Sequence, residues 1–453
     1  VTVSVRPSSD PAPRPLPVRA TAAIEALKLT NRLSRALRRG SGTVAGGRVG
    51  LAVEPGLVAL LARGKQVALV SGTNGKTTTS TLLATALGSG VGTQVATNAT
   101  GANMPAGHVA ALVDGAGANV AVLEVDEGYL GRLLEETVPR VVVLLNLSRD
   151  QLDRIAEVRM LADRWRTALG RIGPATDDGP ATVVVANADD PMVAWAAMAA
   201  PDVRWVGAGQ VWHHDAVGCP ACGGRIGFGA GGAWACERCA FARPPLDAWL
   251  DGDDLVTAGG ERSALTIGLP GRFNRANAAV AALAASVMDD GLTTDEALRR
   301  MATVSEVAGR FGTTRRSGHP VRLLLAKNPA GWTAMFDLLD ETTGPDVPVV
   351  LSINARIADG LDTSWLWDVP FERLAGRTVV VTGDRRLDLA VRLRYAEVGC
   401  TVVDGPLAAV DAALAPLDAA DHSADGSADP PADPGEVTVV ANYTAFADLR
   451  RVL

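Results

Sequence analysis

A short apolar run, KQVALV at residues 65–70, passes through the loop SGTNG directly into KTTTSTLLATAL, a stretch with the composition of a helix. Few arrangements satisfy that order: a buried strand, a tight glycine turn, and a helix opened by a lysine and a threonine. The turn points several backbone N–H groups into one concavity, and the helix N-terminus adds partial positive charge, so the pair cradles phosphate. Gly72, Thr73, Asn74 and Gly75 are therefore expected to wrap a nucleotide's phosphates. Lys76 would neutralise their β- and γ-oxygens, Thr77 would offer its hydroxyl to Mg²⁺, and Thr78 would continue the cradle. The plain alternative is a glycine turn with no ligand, and the GKT placed between strand and helix weighs against it.

Further apolar runs, VAVLEV, RVVVLLNL and ATVVVAN, suit buried parallel strands and alternate with helix-like stretches. Glu124 ends the first of them, on the edge where α/β folds bind ligands, and a carboxylate there can hold the Mg²⁺ that bridges phosphates. A second series follows: VRLLLAKNP, VPVVLSIN, RTVVVTGD, GCTVV and EVTVVANY. At 453 residues the chain is too long for one ordinary core, and two α/β domains are expected, 21–312 and 313–453. Residues 1–20, rich in Pro, Ser and Arg, are expected to be disordered, with one amphipathic helix starting at about Thr21. The acidic, low-complexity stretch at about 416–435 reads as a flexible surface insertion.

Four of the five cysteines fall in one cluster, CPACGGRIGFGAGGAWACERC. Cys219, Cys222, Cys236 and Cys239 form two CxxC knuckles separated by thirteen residues, the spacing of a tetrahedral Zn²⁺ site inserted at about 212–243. A closed set of four thiolates leaves no position for water, so the zinc would be structural. His213 and His214, in an exposed loop, are read as bystanders, and Cys400, at the start of an apolar run, as a small core residue. No thiol nucleophile remains. The net charge of −7 argues against nucleic acid. No apolar run reaches the roughly 18 to 20 residues of a membrane span, and the N-terminus lacks a signal peptide's hydrophobic core, so a cytoplasmic protein is expected.

SGTNGKTTT, followed in order by LEVDE, LNLSRDQLDR, VANADDP, GRFNRANAAVAA and GRFG, resembles the motif series of the Mur ligase superfamily over about residues 67–312. That resemblance implies a central ATPase domain carrying the zinc ribbon and a smaller Rossmann-like C-terminal domain. It implies ATP-dependent phosphorylation of a carboxylate and attack of an amine on the acyl phosphate. Lys76 and Thr77 would then lie on phosphates and Mg²⁺, Glu124 on Mg²⁺, Asn277 near the adenine, and Arg310 near the nucleotide between the domains. Three departures narrow the likeness. The P-loop begins after only about seventy residues, leaving no room for a UDP-precursor domain; DQLDRIAEVRMLADRW holds no lysine to carbamylate; and LLLAKNPAGW replaces DYAHNP.

All three departures resemble the MurT family, ligase-like subunits paired as heterodimers with a GatD-type glutaminase. The resemblance implies amidation of the D-glutamate α-carboxylate in the lipid II stem peptide, at the inner face of the cell membrane, with membrane contact only through that substrate. It also implies an aspartate that reaches into the partner to complete its Cys–His pair. In the matching motif, DGLDTSW, that residue is Asp362, with Asp359 and Asp368 as second choices and Trp365 and Trp367 as interface anchors. The alternatives are a stand-alone ligase that adds an amino acid, and a nucleotide-binding scaffold whose zinc ribbon docks a macromolecule.

Overall fold

A computed structural model describes residues 15–37, 43–88, 94–98, 101–149, 158–173, 181–209, 212–307, 311–423 and 435–453. Two sheets organise them. The first contains nine strands: β1 (Gln66–Ser71), β2 (Val95–Thr97), β3 (Val120–Val125), β4 (Val141–Leu144), β5 (Val183–Asn187), β6 (Val203–Gly207), β9 (Ala248–Asp251), β10 (Asp254–Thr257) and β11 (Arg262–Ala264). Between β6 and β9 the chain leaves the sheet to form the hairpin β7 (Ile226–Phe228) and β8 (Trp234–Cys236).

The spatial order is β11-β10-β9-β6-β5-β4-β1-β3-β2. From β2 across to β9 the neighbours are parallel, and β9, β10 and β11 finish the edge as an antiparallel meander. Both faces are covered, as a parallel sheet requires. One face packs on helices that include Val18–Ala36, Pro105–Asp114 and Val158–Leu169, the other on Lys76–Gly88, Arg272–Met288 and Thr294–Met301. Because β3 flanks β1 on one side and β4 on the other, the connections diverge at the carboxyl end of β1, and a crevice opens there.

The second sheet holds β12 (Phe311–Arg316), β13 (His319–Leu325), β14 (Val349–Ser352), β15 (Val379–Thr382), β16 (Thr401–Val402) and β17 (Val437–Ala441), in the order β12-β13-β17-β14-β15-β16. All its pairs are parallel except β12 with β13.

The two-part α/β fold with an inserted ribbon agrees with the sequence expectation, with three local corrections. The first helix begins at Val18, inside the stretch expected to be disordered, and residues 1–14 lie outside the described residues. Phe311–Arg316 is a strand of the second sheet, so a boundary at 312/313 would cut through it; Gly312 pairs with Leu323. The helix Pro406–Ser423 runs into the stretch expected to be a flexible insertion, and residues 424–434 are not described.

Candidate nucleotide site, zinc ribbon and docking edge

The glycine loop sits in the crevice at the end of β1, where two backbone positions exclude any side chain. Gly72 has φ +147°, and a Cβ there would lie 2.8 Å from the Leu145 Cβ. Gly75 has φ +86°, and a Cβ would come within 2.5 Å of Asn277 Oδ1. The segment after β4 clamps the loop from outside. Asn146 accepts from the Thr73 N–H through its backbone oxygen and from the Asn74 N–H through its side chain, both at 2.9 Å. Thr73 Oγ1 donates to the Ser148 carbonyl at 3.1 Å, and the Ser148 N–H returns a bond of 3.0 Å.

Lys76 is buried and folds over its own loop, donating to the carbonyls of Gly72 at 2.5 Å and Thr73 at 3.2 Å, with Glu127 at 3.3 Å. Thr77 donates its hydroxyl to Glu124 Oε2 at 2.7 Å, so the two residues expected to serve Mg²⁺ stand side by side, both buried. Strand pairing brings them together, since Glu124 is in register with Val70. The sequence reading missed the groups that hold Glu124. Asn98 takes both its backbone polar groups at 2.8 Å, Asn103 reaches Oε1 at 3.4 Å, and His108 Nε2 lies 2.8 Å from its carbonyl oxygen. His108 is fully buried, and burial lowers its pKa, so it remains neutral there.

Asn277, which the resemblance puts near the adenine, lies beside Gly75 and lines an open cleft of about 820 Å³ that runs between the two domains. An adjoining cleft of about 830 Å³ shares Asn74, Asn146, Phe273 and Asn277 with it and continues to Gly75 and Thr78. The second domain closes these clefts through Asn328, which caps the helix Pro329–Thr342 and pairs with the Asn74 side chain. Arg310 lies outside the described residues, as do 150–157, the first half of the lysine-free stretch DQLDRIAEVRMLADRW, whose second half belongs to the helix Val158–Leu169.

In the ribbon, the four thiol groups lie within 4.8 Å of one another. Sγ of Cys219 is 3.7 Å from that of Cys239, and Cys222 is 3.5 Å from Cys236. A Zn²⁺ tetrahedron with Zn–S bonds of about 2.3 Å has S–S edges of about 3.8 Å, so the cluster fits that ion closely. The Gly224 N–H and then Arg238 pull the Cys222 thiol down to about 6, while burial pushes Cys219 up. Neither histidine joins the set: His213 is half-buried, not exposed as expected, and stacks on Phe228, while His214 lies against Trp212.

The ribbon's exits are fastened to the first sheet. Trp234 Nε1 donates to the Ala188 carbonyl at 2.9 Å, Arg243 pairs with the fully buried Asp189, and Trp212 lines the cleft of about 820 Å³. Trp212 donates to Asp215 at 2.6 Å, Asp215 accepts from Arg149 at 2.5 Å, and Arg149 reaches across to Asp368 of the second domain at 3.2 Å.

The three candidate aspartates of the ADGLDTSWLWD segment separate clearly. Asp359 is buried and accepts from Thr444 and from the Arg356 N–H. Asp368 is spent on Arg149. Asp362 is exposed, and the Ser364 N–H at 2.8 Å holds its carboxyl below the usual range. Trp365 corrects an expectation: it is buried in this chain's own core against Trp332, so it cannot anchor a partner. Trp367 is 55% exposed. Cys400 is half-buried against the same core, and burial raises its thiol pKa.

A P-loop at a topological switch point, a threonine–glutamate pair beside it, and a second α/β domain closing over the cleft define a Mur-type ligase. Residues 70–285 match the Mur ligase middle domain, and residues 325–446 match the MurT ligase C-terminal domain. The chain belongs to the MurT ligase family. It is 30% identical over 404 residues to the MurT subunit of lipid II isoglutaminyl synthase (glutamine-hydrolyzing) of Staphylococcus aureus, covering 84% of this chain and 89% of the relative. To the subunit of the same name in Streptococcus pneumoniae it is 32% identical over 386 residues, covering 79% and 83%. The fold recurs in MurF of Acinetobacter baumannii, with TM-score 0.62 and 15% identity over 89% of this chain and 80% of that one. It recurs also in folylpolyglutamate synthase of Mycobacterium tuberculosis, with TM-score 0.60 and 18% identity over 95% and 98%.

Proposed function

We propose that this chain is the ligase subunit of a two-chain amidotransferase that converts the D-glutamate α-carboxylate of the lipid II stem peptide to the amide. ATP is cleaved in the crevice at β1: a carboxylate oxygen of the substrate attacks the γ-phosphorus, ADP leaves, and an acyl phosphate forms. Ammonia then adds to the acyl carbon, the C–O bond to phosphate breaks, a proton is lost from nitrogen, and the amide and inorganic phosphate remain.

The Gly72–Thr78 loop would direct its N–H groups, and Lys76 its ammonium, at the transferring phosphoryl group, where negative charge is spread in the transition state. Lys76 must first leave the carbonyls of Gly72 and Thr73. Thr77 and Glu124 would hold Mg²⁺, which would supply positive charge to offset that of the nucleotide's phosphates. Asn277 and Asn74 would line the nucleotide's seat, and the resemblance assigns Arg310 to the same nucleotide. Zn²⁺ in the ribbon would be structural, holding the Trp212 wall of the cleft in place.

The observation that carries the glutaminase half of the reading is Asp362. It is an exposed carboxylate fixed by a backbone N–H, in a chain whose cysteines are otherwise a metal-type cluster and one core thiol. A Cys–His pair on a GatD-type partner would use such a group to fix the imidazole tautomer and stabilise its charged form. No helix among the described residues is long and apolar enough to cross a membrane, so contact with the membrane would come through the lipid-linked substrate.

The test compares nitrogen donors. Asp362→Asn should cut glutamine-driven amidation by about two orders of magnitude or more while ammonia-driven amidation stays near normal. Equal loss with both donors refutes the assignment of Asp362. Release of ADP that depends on an added amino acid and not on ammonia refutes the amidotransferase reading in favour of a stand-alone ligase.

A further inference from the structure

The first 65 residues carry eleven Lys and Arg against three Asp and Glu, a net charge of +8 in a chain whose total is −7. The nucleotide site draws on none of these cations. Apolar exposure is concentrated in the same region. Of the twelve exposed large apolar side chains among the described residues that precede the second sheet, seven fall between residues 16 and 49.

The helix Val18–Ala36 sets out both kinds of group. It turns Ala20, Ala23, Leu27 and Asn31 into the protein. Leu29 and Leu33, followed by the capping residue Leu37, point outward at spacings of four, each more than half exposed. Val18, 88% exposed, joins this stripe three turns back. Lys28, Arg32 and Arg35, all exposed, form an adjoining stripe, in which the one acid, Glu25, pairs with Lys28 at 2.9 Å. A surface helix of a globular protein normally puts polar groups where these leucines stand. An outward apolar stripe beside a row of cations suits a bilayer interface, with the leucines among the acyl chains and the cationic heads at the phosphates.

The helix is also held in place. Its neighbour, Thr43–Val53, has three buried glycines, and at Gly46 the two helices approach so closely that a Cβ would overlap the Asn31 side chain. Gly47 lies against the backbone of Ala106, in the helix Pro105–Asp114, which follows the loop that holds Asn103 on Glu124. Arg19 fastens one end by donating to the Val53 carbonyl and pairing with Glu54 at 3.8 Å. The stripe is thus presented on a frame that reaches back to the crevice, and little order remains to be gained on contact.

We infer that the outward face of Val18–Ala36 is a docking surface for an anionic lipid bilayer, which adds a hold of the chain's own to the one its substrate supplies. Charge complementarity selects the occupant. A second copy would set like charge against like, whereas an anionic membrane raises affinity about fivefold for each Lys or Arg brought near it. The purpose of the surface rests on the amidotransferase reading, because a lipid-linked substrate is met at a bilayer; the surface itself does not.

The experiment uses the full purified chain and lipid vesicles, with flotation as the readout. Vesicles of phosphatidylglycerol and phosphatidylcholine in equal parts should carry the chain, phosphatidylcholine alone should bind it at least tenfold more weakly, and salt raised to about 0.5 M should release it. Arg32→Glu with Arg35→Glu, and separately Leu29→Ser with Leu33→Ser, should each weaken binding to the mixed vesicles tenfold or more without altering the melting curve. Leu33→Met should bind like the unaltered chain. With the GatD-type partner and glutamine supplied, both double variants should slow amidation of lipid II embedded in the mixed vesicles and leave that of a soluble, lipid-free stem-peptide substrate unchanged. No vesicle binding, equal binding to the two kinds of vesicle, or binding that neither double variant weakens overturns the proposal. So does a dimer that Leu29→Ser with Leu33→Ser makes monomeric, or a loss of partner binding in either double variant, because the face then belongs to a protein. If the vesicles bind as expected and neither substrate is amidated, the amidotransferase reading fails while the docking surface stands.

Discussion

The phosphate crevice and the docking edge are built on opposite physical plans. At the crevice the phosphate-loop groups turn inward to partners of their own chain: Thr77 on Glu124, Lys76 on its own loop, Asn74 on Asn146. Lys76, Thr77 and Glu124 are buried and the two asparagines half-buried, so losing a contact there is costly. At the edge, Asp362 and Trp367 face solvent on a frame that Arg392 holds from beneath. The first region is a finished device that must loosen to admit its substrate, and the second is half of a device. A chain divided in this way should separate into two sets of variants, one blind to the nitrogen source and one sensitive only to it.

The largest effect belongs to the crevice. Lys76→Ala should lower amidation about a thousandfold or more with glutamine and ammonia alike, while the partner still binds; a defect confined to glutamine would break the division. Glu124→Gln should raise the Mg²⁺ concentration needed for half-maximal rate by about tenfold or more, again with both donors, in a metal titration of initial rates. In the ribbon, about one Zn²⁺ per chain is expected by elemental analysis. Cys236→Ser should lower the melting temperature by about 5 °C or more, and a normal melting curve with lost zinc would show the ribbon to be dispensable to the fold. Smallest of all, Arg149→Ala should change the glutamine-driven rate by about two- to fivefold, because the bridge to Asp368 is partly exposed and worth about 0.2–1 kcal/mol.

The same contrast decides what the sequence could reveal. Central parallel strands such as Val120–Val125 are buried on both faces and read as unbroken apolar runs, so they were legible. Missed strands lack that signature. Val95–Thr97 has only three residues, the meander of Ala248–Thr257 and Arg262–Ala264 is short and charged, and Phe311–Arg316 ends in two arginines. The P-loop was legible because its chemistry is contiguous in the chain. Asn98, His108, Asn146 and Ser148 were not, since their places around Glu124 and Thr73 are set by which strands become neighbours. In the helix Arg386–Tyr395, Leu387 and Val391 look no different in sequence from Leu389 and Leu393, and only packing shows which pair faces out. Trp365 and Trp367 are two residues apart, and the turn between them sends one to the core and the other to solvent.

Arg149 adds a thermal consequence. Its guanidinium spans the gap between the domains, holding Asp215 on one side and Asp368 on the other. Were the two domains to part, Asp368 would leave while Asp215 stayed, so the arginine would keep one carboxylate. The cost of parting is then close to thermal energy, about 1 kcal/mol or less for an exposed pair. A fastening of that strength cannot by itself lock the cleft, and it favours one register of the two halves over its neighbours.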